Sequence, residues 1–234
     1  MSLVHAVVMF DGDLDLAAEH FAALEAYFDS LQATYDAGGG GLATFATRFD
    51  DVCPPPPQQQ GNAHLIGAFA DVHDATLIAD IAAQLSGAGR LAPDAAAAYG
   101  ALRDRLIAEY GDAFVLDRAA GRFGESGMQT EQALPLWLDA AAATTNTSDD
   151  GDSGSGLAAC ALEVLVSDIV TTQQAHSTSR IIGIKYYALE TLGAHGCADV
   201  RLSLMLQTSY PSFGPVSVSR SRLYRDLMVT VAAV

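Results

Sequence analysis

The feature that most constrains this chain is a helical spacing of apolar residues within alanine-rich segments. The first such stripe follows intervals of seven, three, four and three residues: Leu14, Phe21, Leu24, Phe28 and Leu31. This spacing places the five side chains on one face of a helix, predicted over residues 13–35. A helix with one apolar face has to bury that face against neighbouring elements.

The same pattern recurs, and glycine and proline interrupt it at intervals of about 25–40 residues. Further helices are predicted at 63–85, 93–110, 157–172, 181–194 and 198–208, with one more starting near Gly127. Ser126 and Gln129 have the spacing of a helix-capping pair there. Residues 114–127 are short, punctuated by glycine and predicted to be extended. About seven helices with little strand signal indicate an all-α array of helical hairpins.

Two stretches fall outside this pattern. Residues 144–156, TTNTSDDGDSGSG, have low complexity and are predicted to be a flexible insertion. Residues 215–234 form a divergent tail that contains three arginines before an apolar end. The predicted organisation is therefore one helical domain over 1–214, with an insertion near 144–156, followed by the tail.

Composition excludes several classes of partner. The net charge is −16 and Lys185 is the single lysine, so neither nucleic acid nor an anionic membrane surface is expected to bind. No apolar run reaches the ~18 residues of a spanning helix. Residues 1–10 lack the basic flank of a signal peptide, and the compartment stays undetermined. The histidines and cysteines lack metal-ligand spacing, so no metal or other cofactor is expected.

Five passages, in order, resemble one family. They are FDGD at 10–13, RFDDVCPP at 48–55, AGRFG with the following QT and ALPL at 120–136, HSTSRIIG at 176–183, and LQTSYPSFG at 206–214. Together they are similar to motifs of the α-L-rhamnosidases in the six-hairpin glycosidase superfamily. The resemblance implies an (α/α) barrel of about twelve helices, of which this chain would form an incomplete part. It also implies hydrolysis of terminal α-L-rhamnosyl residues with inversion at the anomeric carbon.

The sequence departs from the family pattern at several positions. Asp50 and Val52 stand where the family has glycine and tryptophan, and Arg180 stands where it has glycine. The family's general-base glutamate follows the last motif, where this chain reads PVSVSR at 215–220, and its general-acid glutamate precedes the first motif. Inverting hydrolysis needs two carboxyl groups. We therefore expect a catalytically incomplete form with no catalytic residue of its own, although the family is one of glycoside hydrolases.

Three residues match positions that the resemblance assigns to the sugar site. Asp51 matches the loop aspartate, His176 the loop histidine, and Phe213 the aromatic residue after the YPS segment. A substrate-binding role is predicted for all three, with a rhamnose-containing glycoside as the partner. For each residue a structural role remains an alternative: a solvated loop acid for Asp51, or a histidine that caps the next helix for His176.

Other polar and aromatic residues are interpreted as structural. Glu125 is interpreted as a favourable charge at a helix N-terminus, and Asp168 as a partly buried structural acid. Trp137 has helical spacing with Leu134 and is expected in the core.

Two alternatives to the hydrolase remain open. One is a non-catalytic helical module that binds a sugar or a protein partner, and the other is an unrelated all-α interaction protein. An incomplete ring would also expose apolar faces, which predicts self-association.

Overall fold

The computed structural model describes residues 2–38, 41–42, 62–125, 127–143, 155–177 and 187–209. These residues form nine α-helices: α1 (Ser2–Asp11), α2 (Leu14–Gly38), α3 (Ala63–Gly87), α4 (Pro93–Phe114), α5 (Gln129–Trp137), α6 (Ala140–Ala143), α7 (Ser155–Ser167), α8 (Leu189–Ala194) and α9 (Ala198–Leu206). One π-helical turn, Asp168–Thr172, continues α7. The predicted all-α class is confirmed, and the helices that the sequence did not predict are α1 and α6.

The ends of the long helices follow from local chemistry. The Asn62 side chain caps α3 by accepting hydrogen bonds from the backbone N–H groups of His64 and Leu65, both at 3.0 Å. Gly87 is the last residue of α3, and Pro93 is the first of α4, where its missing N–H has no partner to lose.

Helix α5 begins at Gln129, two residues after the predicted start. Ser126, the predicted capping residue, lies outside the described residues. The insertion predicted near 144–156 also lies outside them, except for Ser155 and Gly156, which begin α7.

The helices form two layers. Helix α3 packs against α1 on one side and α5 on the other, and α5 in turn contacts α8. Helices α2, α4 and α7 cover this inner row, with α2 against α1 and α3, α4 against α3, and α7 against α5. Inner and outer helices therefore alternate along the chain, as expected for successive helical hairpins.

Burial distinguishes the two layers. In α3, 14 of 25 residues are buried, so its apolar residues surround the helix rather than forming a stripe. Helix α5 is buried from Gln129 to Leu136. In the outer helix α4, four residues are buried: Leu106, Tyr110, Gly111 and Phe114. A helix buried on several sides is one that neighbours enclose.

A small hairpin connects α4 to α5. Strands β1 (Val115–Asp117) and β2 (Arg122–Phe123) pair antiparallel with an irregular register. The predicted extended segment is therefore confirmed. Gly121 in the turn has a φ of +66°, and a Cβ there would collide with the backbone of Cys160 and Ala161 in α7. Only glycine allows this approach of the hairpin to α7.

Candidate functional site

Hydrogen bonds join the described ends of several connections at one end of the helical array. In sequence, these connections contain most of the family-like passages. These are the links from α2 to α3, from α4 to α5 and from α7 to α8, together with the residues that follow α9. We call this end, marked by Asn62, Gln129, Glu131, His176 and Ser209, the motif end.

Glu131 connects two of these links. Its side chain is fully buried, and its carboxylate accepts hydrogen bonds from the backbone N–H of Asn62 at 2.8 Å and of Gly127 at 3.2 Å. Gly124, with a φ of +65°, packs so closely on this carboxylate that a Cβ would collide with it. Backbone donors compensate the cost of burying the charge. The N-terminal ends of α3 and α5 are thereby held together.

A second carboxylate holds the other end of the α2–α3 connection. The backbone N–H of Leu42 donates to the Glu109 side chain in α4 at 3.3 Å. Residues 43–61, which include the candidate Asp51, lie outside the described residues. Their two flanking residues, Leu42 and Asn62, are thus both bonded to carboxylates of other helices.

Gln129 connects α5 to the segment that follows α7. Its side chain is 1% exposed, and its amide nitrogen donates to Asp168 Oδ2 at 2.7 Å and to the His176 carbonyl at 3.4 Å. Its amide oxygen accepts from the Ser177 hydroxyl at 3.1 Å. This orientation matches every donor with an acceptor, whereas a flipped amide would place its oxygen against a carboxylate.

His176 lies at the centre of the motif end. Its Nδ1 is 2.9 Å from the Gln173 carbonyl oxygen and 3.0 Å from that of Gln174. Carbonyl oxygens only accept, so Nδ1 carries a hydrogen. Nε2 is 2.9 Å from the Ser209 hydroxyl, beyond the end of α9. The loop histidine and the last family-like passage are therefore adjacent in space.

The backbone before His176 is unusual. The π-helical turn Asp168–Thr172 precedes it, and Gln174 and Ala175 have φ values of +50° and +64°. Two consecutive non-glycine residues in the left-handed region cost free energy, and such strain persists only where surrounding contacts hold it. π-Helical turns are frequent at functional sites.

The structure describes only some of the other polar and aromatic residues that the sequence singled out. Asp50, Asp51 and Phe213 lie outside the described residues, so their roles stay predictions. Glu125 is exposed. Asp168 is half-buried and accepts from Gln129, which agrees with the structural interpretation.

Trp137 is half-buried in a cluster of rings with Phe69, His73 and Tyr187. Its indole N–H donates to the Glu190 carboxylate at 2.7 Å. Burial lowers the pKa of His73 in this cluster, nearby His5 lowers it further, and Glu190 opposes the shift. The cluster thus combines an apolar core with a polar outer edge.

Sequence reasoning missed Glu131 and Gln129 as central residues of this end. A glutamate three residues after Met128, the N-cap residue of α5, was an available signal, because a glutamate at that position commonly reaches back to backbone N–H groups at the start of the helix. Nothing in the sequence around Gln129 indicates partners at residues 168, 176 and 177. Among the described residues, no group of three His, Cys, Asp or Glu side chains could hold a metal ion. No described helix combines the length and apolarity needed to cross a membrane.

Inner and outer helices that alternate along the chain, with every second connection at the motif end, are the arrangement of helical-hairpin (α/α) barrel proteins. The profile of the bacterial α-L-rhamnosidase six-hairpin glycosidase domain matches residues 1–219. The chain belongs to this family. No curated protein matches it.

Three solved structures share the fold. The chain matches an α-L-rhamnosidase from Dictyoglumus thermophilum at 22% identity with a TM-score of 0.66, covering 88% of this chain and 21% of that one. It matches a Streptomyces avermitilis α-L-rhamnosidase complexed with L-rhamnose at 20% identity with a TM-score of 0.67, covering 88% and 17%. The α-L-rhamnosidase from Aspergillus terreus gives 20% identity, a TM-score of 0.59, and 88% and 22% coverage. The chain therefore spans about a fifth of the length of these relatives.

Proposed function

We propose that this chain is part of an α-L-rhamnosidase-like glycoside hydrolase, in which the motif end binds the terminal α-L-rhamnosyl residue of a glycoside. The observation that carries the proposal is the contact between His176 and Ser209, which brings two family-like passages together. Family membership and a solved relative described as complexed with L-rhamnose support the choice of sugar.

The hydrogen bonding at His176 suits a sugar hydroxyl. The Ser209 hydroxyl has one hydrogen and two acceptors nearby, His176 Nε2 and the Gln207 side-chain oxygen, each at 2.9 Å. Nε2 of an Nδ1–H ring has a single lone pair, which faces the Ser209 oxygen. If Ser209 donates to Gln207 and turns away, a ligand hydroxyl that takes its place can donate to Nε2. A rhamnose hydroxyl is a donor of this kind.

The two described carboxylates with hydrogen bonds at the motif end already have partners. The buried carboxylate at this end, Glu131, already accepts from two backbone N–H groups, and Asp168 accepts from Gln129. Neither is available for the two proton-transfer roles of inverting hydrolysis. We propose that the chain by itself binds rhamnose without turnover, and that hydrolysis with inversion belongs to the complete enzyme.

Calorimetric titration with L-rhamnose tests the binding, with D-glucose as the control sugar. His176→Ala is expected to weaken rhamnose binding by roughly threefold to tenfold, the loss of about one hydrogen bond. Asp51→Ala and Phe213→Ala are expected to weaken it as well. His20→Ala, an exposed histidine on α2, is the matched control and should leave the affinity unchanged.

Turnover is measured separately with para-nitrophenyl α-L-rhamnoside. Binding without release of the chromophore is the expected result. Release by this chain alone would show that it carries its own acid and base. Absence of rhamnose binding would favour the alternative of a helical interaction module.

A further inference from the structure

We propose that Gln129 is a positioning residue whose buried amide holds the strained segment 173–177 and thereby sets the direction of the His176 imidazole. The functional part of this inference rests on the proposed function, which makes His176 a sugar-binding residue. Gln129 itself is buried in the first turn of α5 and belongs to the support of the site rather than to its surface.

Gln129 holds this segment at two points. Its amide nitrogen donates to the His176 carbonyl, and its amide oxygen accepts from the hydroxyl of the next residue, Ser177. Its second donated bond goes to Asp168, at the beginning of the π-helical turn that leads into the segment. One side chain thus bonds both ends of the stretch from Asp168 to Ser177.

This stretch needs such support. Gln174 and Ala175 both have positive φ values. Residues other than glycine adopt such values only at a cost in free energy. Gln207 also reaches the carbonyls of Gln174 and Ala175, but at 3.5 Å each and from a more open position. The Gln129 bond to the His176 carbonyl is similarly long, at 3.4 Å, but its bonds to Asp168 and Ser177 are shorter, at 2.7 Å and 3.1 Å. Hydrogen bonds in a buried environment are stronger than exposed ones, which favours these contacts of the buried Gln129 as the main support.

The strain has a consequence for the ring of His176. Its Nδ1 bonds to the carbonyl oxygens of Gln173 and Gln174, and both carbonyls belong to the strained stretch. If the segment relaxed to ordinary backbone angles, these carbonyls would turn and the ring would lose its orientation. Nε2 would then no longer point toward Ser209, where we place the sugar hydroxyl.

Exchanging the hydrogen-bond donor and acceptor between residues 129 and 168 tests this arrangement. Gln129→Glu keeps the size of the side chain but places a carboxylate oxygen against Asp168, and it removes the donor to the His176 carbonyl. Adding Asp168→Asn supplies an amide that can donate to the new carboxylate, so the pair exchanges its donor and acceptor. Gln84→Glu, an exposed position on α3, is the matched control.

The main readout is the NMR signature of the His176 ring, assigned by its disappearance in His176→Gln. We expect the Nδ1–H tautomer signals in the original protein and a clear shift or broadening in Gln129→Glu. The double variant should recover part of that change, because it restores the contact to residue 168 but not the donor to the His176 carbonyl. Gln84→Glu should leave the signals unchanged. Rhamnose affinity is expected to fall at least threefold in Gln129→Glu and to recover in parallel, with a folded spectrum throughout.

Unchanged ring signals in a folded Gln129→Glu protein, or no recovery in the double variant, would overturn the proposal. If Gln129→Glu does not fold, Ser177→Ala replaces it, and it should shift the same ring signals to a smaller extent; no shift there counts against the idea. The ring signals do not depend on any sugar. A response of the ring in a protein that binds no rhamnose would therefore support the positioning role while rejecting the proposed function.

Discussion

The Glu131 carboxylate and the backbone N–H of Asn62 form a 2.8 Å hydrogen bond that joins the N-terminal ends of two inner helices, α5 and α3. The carboxylate is buried, so the bond is shielded from water. This contact fixes the spacing of the two links that flank the proposed sugar site.

Glu131→Gln should destabilise the protein, because the new amide nitrogen faces a backbone N–H and one charged acceptor is lost. We expect a loss of about 1.5–3 kcal/mol in the free energy of unfolding, measured by urea denaturation. Glu163→Gln, at an exposed position on α7, is the control and should change stability by less than about 0.5 kcal/mol. Equal effects of the two variants would contradict the assigned role of Glu131.

Three glycines separate steric from conformational effects. Gly121→Ala should cost more than about 3 kcal/mol, because a positive φ and a collision with the α7 backbone add together. Gly89 also has a positive φ, +71°, but the space around it is open. Gly89→Ala should therefore lower the free energy of unfolding by roughly 1–2 kcal/mol. Gly100→Ala, inside α4 with nothing near the new Cβ, should stabilise by about 0.5–1 kcal/mol. Thermal unfolding of the three variants checks this order of stabilities. A small loss of stability in Gly121→Ala would show that the hairpin does not pack on α7.

His73 predicts a pH dependence of stability. Burial lowers its pKa in the folded protein, with His5 adding to the shift, so protonation favours the unfolded chain. The contribution of neutral His73 to folding stability is fully present above the pKa of histidine in the unfolded chain, about 6.5. It is lost as the pH falls through the lower pKa of His73 in the folded protein. His73→Gln should therefore lose less stability than the original protein between pH 7.5 and about 5.5. Urea titrations at several pH values measure this, and His20→Gln should follow the original curve.

Self-association is predicted from the first and last helices of the array, α1 and α9. Phe10 on α1 and Leu206 at the end of α9 are 89% and 68% exposed, and other apolar residues of both helices are exposed beside them. Light scattering should detect concentration-dependent association that Phe10→Lys combined with Leu206→Lys reduces. Leu116→Lys, on the exposed β1 strand, is the control and should have little effect. A stable monomer at all concentrations would show that the described helices suffice by themselves.

The sequence predicted the long helices well because each carries many periodic apolar residues. Helix α2 was predicted at 13–35 and spans Leu14–Gly38, and α3 was predicted at 63–85 and spans Ala63–Gly87. Helix α1 was missed because its ten residues form no clear apolar stripe, and only Val8 is buried. The four residues of α6 are too few to show a period.

The site was less predictable for a physical reason. The family resemblance assigned His176 and Phe213 to the sugar site, and the structure places His176 2.9 Å from Ser209, in the passage that contains Phe213. The polar contacts behind them join residues far apart in sequence: Glu131 bonds Asn62 across 69 positions, and Gln129 bonds Asp168 across 39. A buried polar residue is identified by its partners, and these become visible only once the chain is folded.

The carboxylates that hold Leu42 and Asn62 have one further implication. Both belong to helices other than α2 and α3, so the endpoints of residues 43–61 are set by α4 and α5 rather than by the intervening stretch. Lengthening a connection between fixed endpoints costs little free energy. Substitutions or insertions between residues 43 and 61 should therefore leave the helical framework undisturbed, so the sugar-binding role proposed for Asp51 can be tested by changing this stretch alone.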